Sequence, residues 1–199
     1  MTALLRHGRY VLEENPVTGL AFGLFVLLVA LAAAGPWLVP YDPLASNTAE
    51  ALRPPSRAHW FGTDQLGRDL LSRVVVATRL DLTISICAVM IAFAVGSAAG
   101  VAGGFYGGWT DRLMGRVLDT IMAFPLFVLA MGIVAALGNT VANIVYATAI
   151  INVPFYARLA RSEVMVRREA GFIEAARLGG NRGVRILAVH LFPLSLIHI

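Results

Sequence analysis

Catalysis, metal binding and redox chemistry each need particular side chains, and this chain is short of most of them. Its sixteen basic residues are all arginine, with no lysine anywhere. A phosphate-loop lysine, a Schiff-base lysine and a lysine general base are therefore excluded. The single cysteine, Cys87, lies in an apolar run. It can form no internal disulfide and no multi-thiolate zinc site, and its expected role is a small apolar filler. His7, His59, His190 and His198 are scattered, with no metal-ligand or Ser-His-Asp spacing. No cofactor, metal or catalytic residue is expected. The one acid well inside an apolar segment is Asp119, and an intramembrane acid points first to ion or proton handling. Arg116 lies three residues earlier on the same helical face, with Arg112 about one turn beyond it. Asp119 therefore reads as half of a structural ion pair near a membrane edge. What remains is the stretch Arg167–Pro193, RREAGFIEAARLGGNRGVRILAVHLFP. Phe172, Ile173, Ala175, Ala176 and Leu178 form a short apolar helical surface, and Gly179-Gly180 stops it by supplying a left-handed cap. A helix this short is unstable alone in water and needs something to dock on. Ala175 and Ala176 would permit close backbone approach.

The elements that position this stretch follow from composition. Apolar residues make up 58% of the 199 and charged residues 14%, against about 25% charged in soluble domains. A soluble enzyme or a disordered chain is excluded, and an all-α membrane protein is expected. The net charge of +4 fits Arg-rich cytoplasmic loops. No aromatic-plus-basic patch favours nucleic acid as a partner; membrane lipid is the expected surroundings.

Stretches without Asp, Glu or Arg locate the crossings, each of which needs roughly 20 apolar residues. They are Asn15–Tyr41, Leu82–Thr110, Thr120–Ala157 and Ile186–Ile199. The first predicts a span over Thr18–Val39, ended by Pro36 and Pro40. The second predicts a span over Asp81–Ala102. The third is too long for one helix and divides at Gly138-Asn139 into Val117–Leu137 and Thr140–Ala157. The fourth is the start of a fifth span, cut short. Arginine counts set the orientation. Seven Arg and three Glu in Arg158–Arg185 put that loop in the cytoplasm, which places 41–80 outside and the N-terminus inside. Four regions follow: an N-terminal segment and first span at 1–40, and an outside segment at 41–80. Then come a core at 81–193 carrying the cytoplasmic loop 158–185, and an atypical tail at 194–199. In the outside segment Pro40–Trp60 reads as an extended loop. Thr63–Leu82, capped by Thr63 or Asp64, reads as an amphipathic surface helix or as an outward extension of the second span.

The spacing Glu174-Ala175-Ala176, three residues, Gly180, twelve residues, Pro193 resembles the EAA motif of permease subunits in ATP-binding-cassette importers. The outer residues Pro54-Pro55-Ser56, His59 to Asp64, Gly67-Arg68-Asp69 and Ser72-Arg73 resemble the dipeptide/oligopeptide permease branch, in its second, C-type subunit. Tyr156 to Arg161 does too. The resemblance runs from about Leu20 to Pro193. It implies a type I importer transmembrane domain, a MetI-like helical bundle, of which four complete spans and part of a fifth are present. Glu174, Ala175, Ala176 and Gly180 would then form the coupling helix, gripped by cytoplasmic ABC ATPase subunits and flanked by Arg158, Arg161, Arg167 and Arg168. A homologous permease subunit and an extracytoplasmic solute-binding protein are the other implied partners, in the cytoplasmic membrane of a bacterium or archaeon. The chain departs from the family at His190-Leu191-Phe192-Pro193-Leu194, where His-Ile-Leu-Pro-Asn is usual, and reads as a C-terminally truncated fragment.

Other residues have plainer readings. Gly96, Gly100 and Gly104 recur every four residues and suit close packing of helices within the chain. Pro125 and Pro154 fall inside expected spans and would kink them. Asn139, Asn143 and Asn152 would touch a polar solute or bond between helices. The rival function is a secondary transporter or channel without an ATPase. It would need an acid or a broken helix at mid-membrane.

Overall fold

The computed structural model describes residues 15–191. Among them every regular element is helical, and the one β-type contact is an isolated bridge between Thr63 and Asp69. The expected N-terminal cytoplasmic segment and the tail at 194–199 lie outside the described residues. The chain divides into two compact units, Met1–Thr83 and Ile84–Ile199.

In the first unit, α1 (Pro16–Leu38) starts where the Asn15 side chain accepts from the N–H groups of Val17 and Thr18. Pro16 stands in the first turn, where a missing N–H breaks no bond. Leu20, Phe22, Phe25 and Leu27 are exposed, and Gly35 alone in the helix is buried. An apolar helix with no buried face is built for a lipid surround. Gly35 sits on Val75: an added Cβ would come 2.8 Å from the valine Cγ1.

The segment after α1 was expected to be extended, and it is not. Asn47 N–H donates to Leu66 O, Leu52 to Asp64 O, Thr63 to Arg53 O and Leu70 to Gly62 O. Gly67 closes this cross-tied loop at φ +72, and a Cβ there would lie 1.7 Å from Asn47 O. Only glycine fits. The helix that follows starts at Leu70, not at Thr63 or Asp64. Asp64 is consumed inside the turn, accepting from Leu66 and Arg68 N–H and from the Arg68 guanidinium. Asp69 acts as the cap instead, accepting from Ser72 N–H at 2.8 Å and its hydroxyl at 2.7 Å. From there α2 (Leu70–Tyr106) runs unbroken for 37 residues. The amphipathic stretch is thus an extension of the second span, not a separate surface helix.

The second unit is organised by a seam of small residues on α2. Ala88 and Ala92 are buried with Ala149 of α5 (Val141–Arg167). A Cβ on Gly96 would meet Val153 O at 2.7 Å, one on Gly100 would meet Ala157 O at 2.2 Å, and one on Gly104 would meet Arg161 O at 2.9 Å. Partners advance in the same order on both helices, so α2 and α5 run parallel. Close backbone approach of this kind is the main adhesive where lipid removes the hydrophobic drive. The structure bears out the intrachain packing expected for the three glycines and lengthens the stripe to Ala88. Cys87, one residue away, is exposed; it does not fill the core as expected.

The expected third span is interrupted. α3 (Gly108–Met122) and α4 (Leu126–Leu137) meet at 90° across a three-residue break. Pro125 enforces it, lacking an N–H and steering Phe124 away from helical geometry. α3 is amphipathic: Asp111, Arg112, Arg116 and Asp119 alternate with Leu113, Val117, Leu118 and Ile121. The turn at Gly138-Asn139 forms as expected, with Thr140 capping α5 by accepting from Asn143 N–H. Asn143 Nδ2 donates to Leu137 O and Gly138 O, and Asn152 Nδ2 to Thr148 O. Asn143 thus ties the start of α5 back to the end of α4 across the turn, as expected of a bond between helices, whereas Asn152 bonds within its own helix. α5 carries buried Pro154 without ending and continues past the expected Ala157 to Arg167. By length and apolarity α1 and α2 each suffice to cross a bilayer, and the bent pair α3–α4 has the composition of a broken span or of a re-entrant loop. α5 has the length for a crossing, its apolar run diluted by its asparagines.

Candidate functional site

Helix α6 (Gly171–Leu178) carries the sequence-predicted site. It is two turns long. Ile173 is fully buried in a cluster with Val101 of α2, Ala160 and Val164 of α5, and Ile186. Ala176 and Phe105 pack against that cluster from its edge. This cluster is what holds so short a helix in place. The inward face is Ile173 and Ala176, one turn apart. The outward face holds Phe172, Glu174, Ala175 and Leu178, the last 90% exposed. Of the four predicted residues, Glu174 and Ala175 lie open, Ala176 is half-buried, and Gly180 ends the helix. Among the described residues no hydrogen bond or ion pair engages the Glu174 side chain.

The helix end explains the glycine. Asn181 N–H donates to Ala176 O at 3.1 Å and Gly180 N–H to Arg177 O at 3.0 Å. These are the paired bonds of a Schellman end, and they require a left-handed residue between them. Gly180 supplies it at φ +78. The Asn181 side chain adds a second bond to Ala176 O. Beyond it a single turn, α7 (Gly183–Arg185), leads into a π-helical stretch, Ile186–Leu191. The remainder of the expected fifth span lies outside the described residues.

The four arginines expected to flank the docking surface are engaged within the chain. Arg161 grips Asp111 of α3 with both prongs of its guanidinium, Nε to Oδ1 and Nη2 to Oδ2, the latter at 2.7 Å. Arg158 meets Asp119 at 2.6 Å. Arg167 pairs with Glu163 one turn back, and Arg168 donates to Gly104 O at 3.2 Å. The partner of Asp119 is thus Arg158, not Arg116 as expected, because α5 brings its guanidinium across to α3. Both partners are more than half exposed, so this acid is not a buried site.

Sequence reasoning missed one cluster. In the first unit His59 is buried, with Nδ1 at 2.9 Å from Asp69 and Nε2 at 3.3 Å from Glu50. Its ring packs on Tyr41, centroids 4.8 Å apart. The hydrogen bond to Asp69 raises the imidazole pKa against the opposing effect of burial, and Glu50 adds to the rise. Burial pushes the Asp69 carboxyl up, but the bonds from Ser72 and His59 outweigh it and hold the group below its usual range. His59 and Asp69 both fall in the outer stretches that carry the family resemblance, but their irregular spacing from Glu50 gave no sign that the three meet.

This geometry accompanies clear relatives. Residues 92–199 match the family described as binding-protein-dependent transport system inner membrane component. The chain is 37% identical over 187 residues to a probable D,D-dipeptide transport system permease protein of Escherichia coli (strain K12), covering 94% of this chain and 63% of that one. It is 40% identical over 181 residues to a glutathione transport system permease protein of Pectobacterium atrosepticum, covering 90% of this chain and 60% of the relative. A glutathione transport system permease protein of Escherichia coli O6:K15:H31 is 41% identical over 186 residues, covering 93% and 61%. The chain therefore spans about three-fifths of the length of these relatives. With a matched region that holds the seam from Ala92 onward, the bent pair and the α6 stub, the chain belongs to the family of binding-protein-dependent transport system inner membrane components.

Proposed function

We propose that the chain is the permease subunit of an ATP-binding-cassette importer that moves dipeptides, oligopeptides or a similar small polar solute across the cytoplasmic membrane. The observation that carries this is α6: a two-turn helix anchored from one side by Ile173 and presenting Phe172, Glu174, Ala175 and Leu178 on the other. Such a face is unpartnered within the described residues and is suited to a groove on another protein. Chain chemistry supports the same division of labour. With no lysine it has no phosphate-binding loop of its own, so it is a non-catalytic subunit and ATP is bound by a separate ATPase. Arg158–Arg185 then faces the cytoplasm and 41–80 faces outward. A homologous permease subunit completes the pathway, and a solute-binding protein delivers the cargo that the relatives' names suggest, a dipeptide or glutathione. The broken pair α3–α4 is a feature a secondary transporter could also use; the match to binding-protein-dependent transport components is what favours the ATP-driven reading over that rival.

The test is capture of the ATPase. Ala175→Cys in a Cys87→Ala background, crosslinked in membranes that hold the whole transporter, is expected to trap the ATPase subunit. Glu174→Arg, a bulky residue at Ala176, or any β-branched residue at Gly180 is expected to uncouple transport from hydrolysis. At Gly180 the cause is backbone strain, since a Cβ meets nothing within 4 Å but φ is +78. Transport and ATPase co-purification that survive all three changes would show the assignment to be wrong.

A further inference from the structure

Two arginines on the run leading into α6 hold the same corner of the chain. The corner joins α2 to α3 through Gly107 and Gly108, both at positive φ. Asp111, in the first turn of α3, receives the two-pronged contact from Arg161. Both side chains are partly shielded, Asp111 at 22% and Arg161 at 36% exposure, so this pair is less open to solvent screening than an ordinary surface pair. Seven residues on, at the end of α5, Arg168 donates to Gly104 O. Gly104 lies in the last turn of α2, where carbonyls lack helical partners and the helix end favours a cation. A Cβ on Gly104 would also strike Arg161 O, so backbone and side chains grip the corner together. On the far side of α3 the chain turns through 90° at Ala123–Pro125.

We propose that Asp111, through Arg161, is a positioning residue that joins the α6 stub to the α2–α3 corner, so that movement imposed on Gly171–Leu178 travels through α3 and is taken up at the Ala123–Pro125 break. This rests on reading α6 as the ATPase-docking helix. α5, the corner and α3 are clamped by the two arginines, whereas the break has Pro125 and a sharp change of direction. A force applied at α6 therefore reaches the break before it meets a compliant joint. Asp111 is the stronger link of the two because its contact is bidentate and charge-assisted, while that of Arg168 to Gly104 is a single bond to a neutral carbonyl.

The experiment reads the break directly, without needing the cargo. Phe124, 52% exposed in the break, is replaced by Cys in a Cys87→Ala background of the complete transporter. Its reactivity with a maleimide is measured with and without ATP and vanadate. Trapping is expected to change the labelling rate at position 124 in the parent. In Asp111→Asn that change is expected to shrink about tenfold, the scale set by losing a charge-assisted hydrogen bond, with Asp111→Glu keeping part of it. The swap Asp111→Arg with Arg161→Asp is expected to restore it. Should Asp111→Asn not assemble, Arg168→Gln, which leaves the ion pair intact, is expected to show a smaller loss, about threefold. No change in the parent overturns the proposal, and so do an undiminished change in Asp111→Asn, a swap that restores nothing, or an unaffected Arg168→Gln. Crosslinking at Ala175→Cys separates the levels. Capture without a change at 124 overturns this link alone, while no capture in any variant overturns the docking reading and this inference with it.

Discussion

Gly100→Ala is the sharpest probe of how α2 and α5 are joined. The added methyl would sit 2.2 Å from Ala157 O and 2.9 Å from its carbonyl carbon, where ordinary contact begins at 3.4 Å. Both obstacles are backbone, so no side chain can swing aside. Relief requires the helices to part by about 1 Å, and a gap of that size forfeits a quarter to a half of each dispersion contact along the seam. Overpacking of this kind costs about 1–3 kcal/mol. Alanine's better helix propensity returns up to about 1 kcal/mol. Gly115→Ala isolates that second effect, because a Cβ at Gly115 on α3 meets nothing within 4 Å. The two variants should therefore differ in stability by about 2 kcal/mol, Gly100→Ala being the weaker. The assay is denaturant titration of the chain in detergent micelles, followed by circular dichroism. If Gly100→Ala unfolds no more easily than Gly115→Ala, the backbone contact between α2 and α5 is not there.

The 40–69 loop should respond to pH at both ends. His59 is raised above its ordinary 6.5, so its contribution is whole below that value and fades as pH climbs through the raised one. Asp69 and Asp64 are lowered from 3.8, so their contribution is whole above that value and fades as pH falls through the lowered ones. Tryptic cleavage after Arg57, divided at each pH by the rate on an unstructured peptide carrying the same Arg-Ala bond, should be slowest from about pH 4 to 6.5, and His59→Gln should remove the loss on the alkaline side only. Gly67→Ala forces a Cβ into Asn47 O in a left-handed backbone; the same cleavage should accelerate at every pH. Ile173→Ala empties the fully buried anchor of α6 at a cost of about 2–5 kcal/mol. Amide exchange across Gly171–Leu178 should then rise by more than tenfold while α1 is unchanged.

Much of this architecture was legible because a bilayer simplifies the code. A run free of charge between Asn15 and Tyr41 leaves only one place for α1, and Asn15-Pro16 marks its start. Gly138-Asn139 marked a turn inside an otherwise featureless run, and Gly179-Gly180 gave the end of α6. The residues quoted for the outer segment turned out to be its builders: His59, Gly62, Thr63, Asp64, Gly67, Arg68 and Asp69 make the cross-ties. What stayed hidden depends on partners distant along the chain. Asp119 had a suitable arginine three residues away, yet the arginine it meets is 39 residues on, a choice made by how α3 and α5 cross. The break at Pro125 had a visible cause, but a single proline announces a kink and not a right angle. The four-residue, helical spacing of Leu113, Val117 and Ile121 was the signal that α3 begins far ahead of the expected span.

The stripe from Ala88 to Gly104 also fixes what kinds of movement are open to the molecule. Notches repeated every four residues index α2 against α5 as a toothed rack is indexed, so the next matching position is a whole repeat away, about 6 Å along the axis. Sliding by one or two residues would set methyls against carbonyls. Whatever gating these helices perform must come from leaning or swivelling of the pair as one piece.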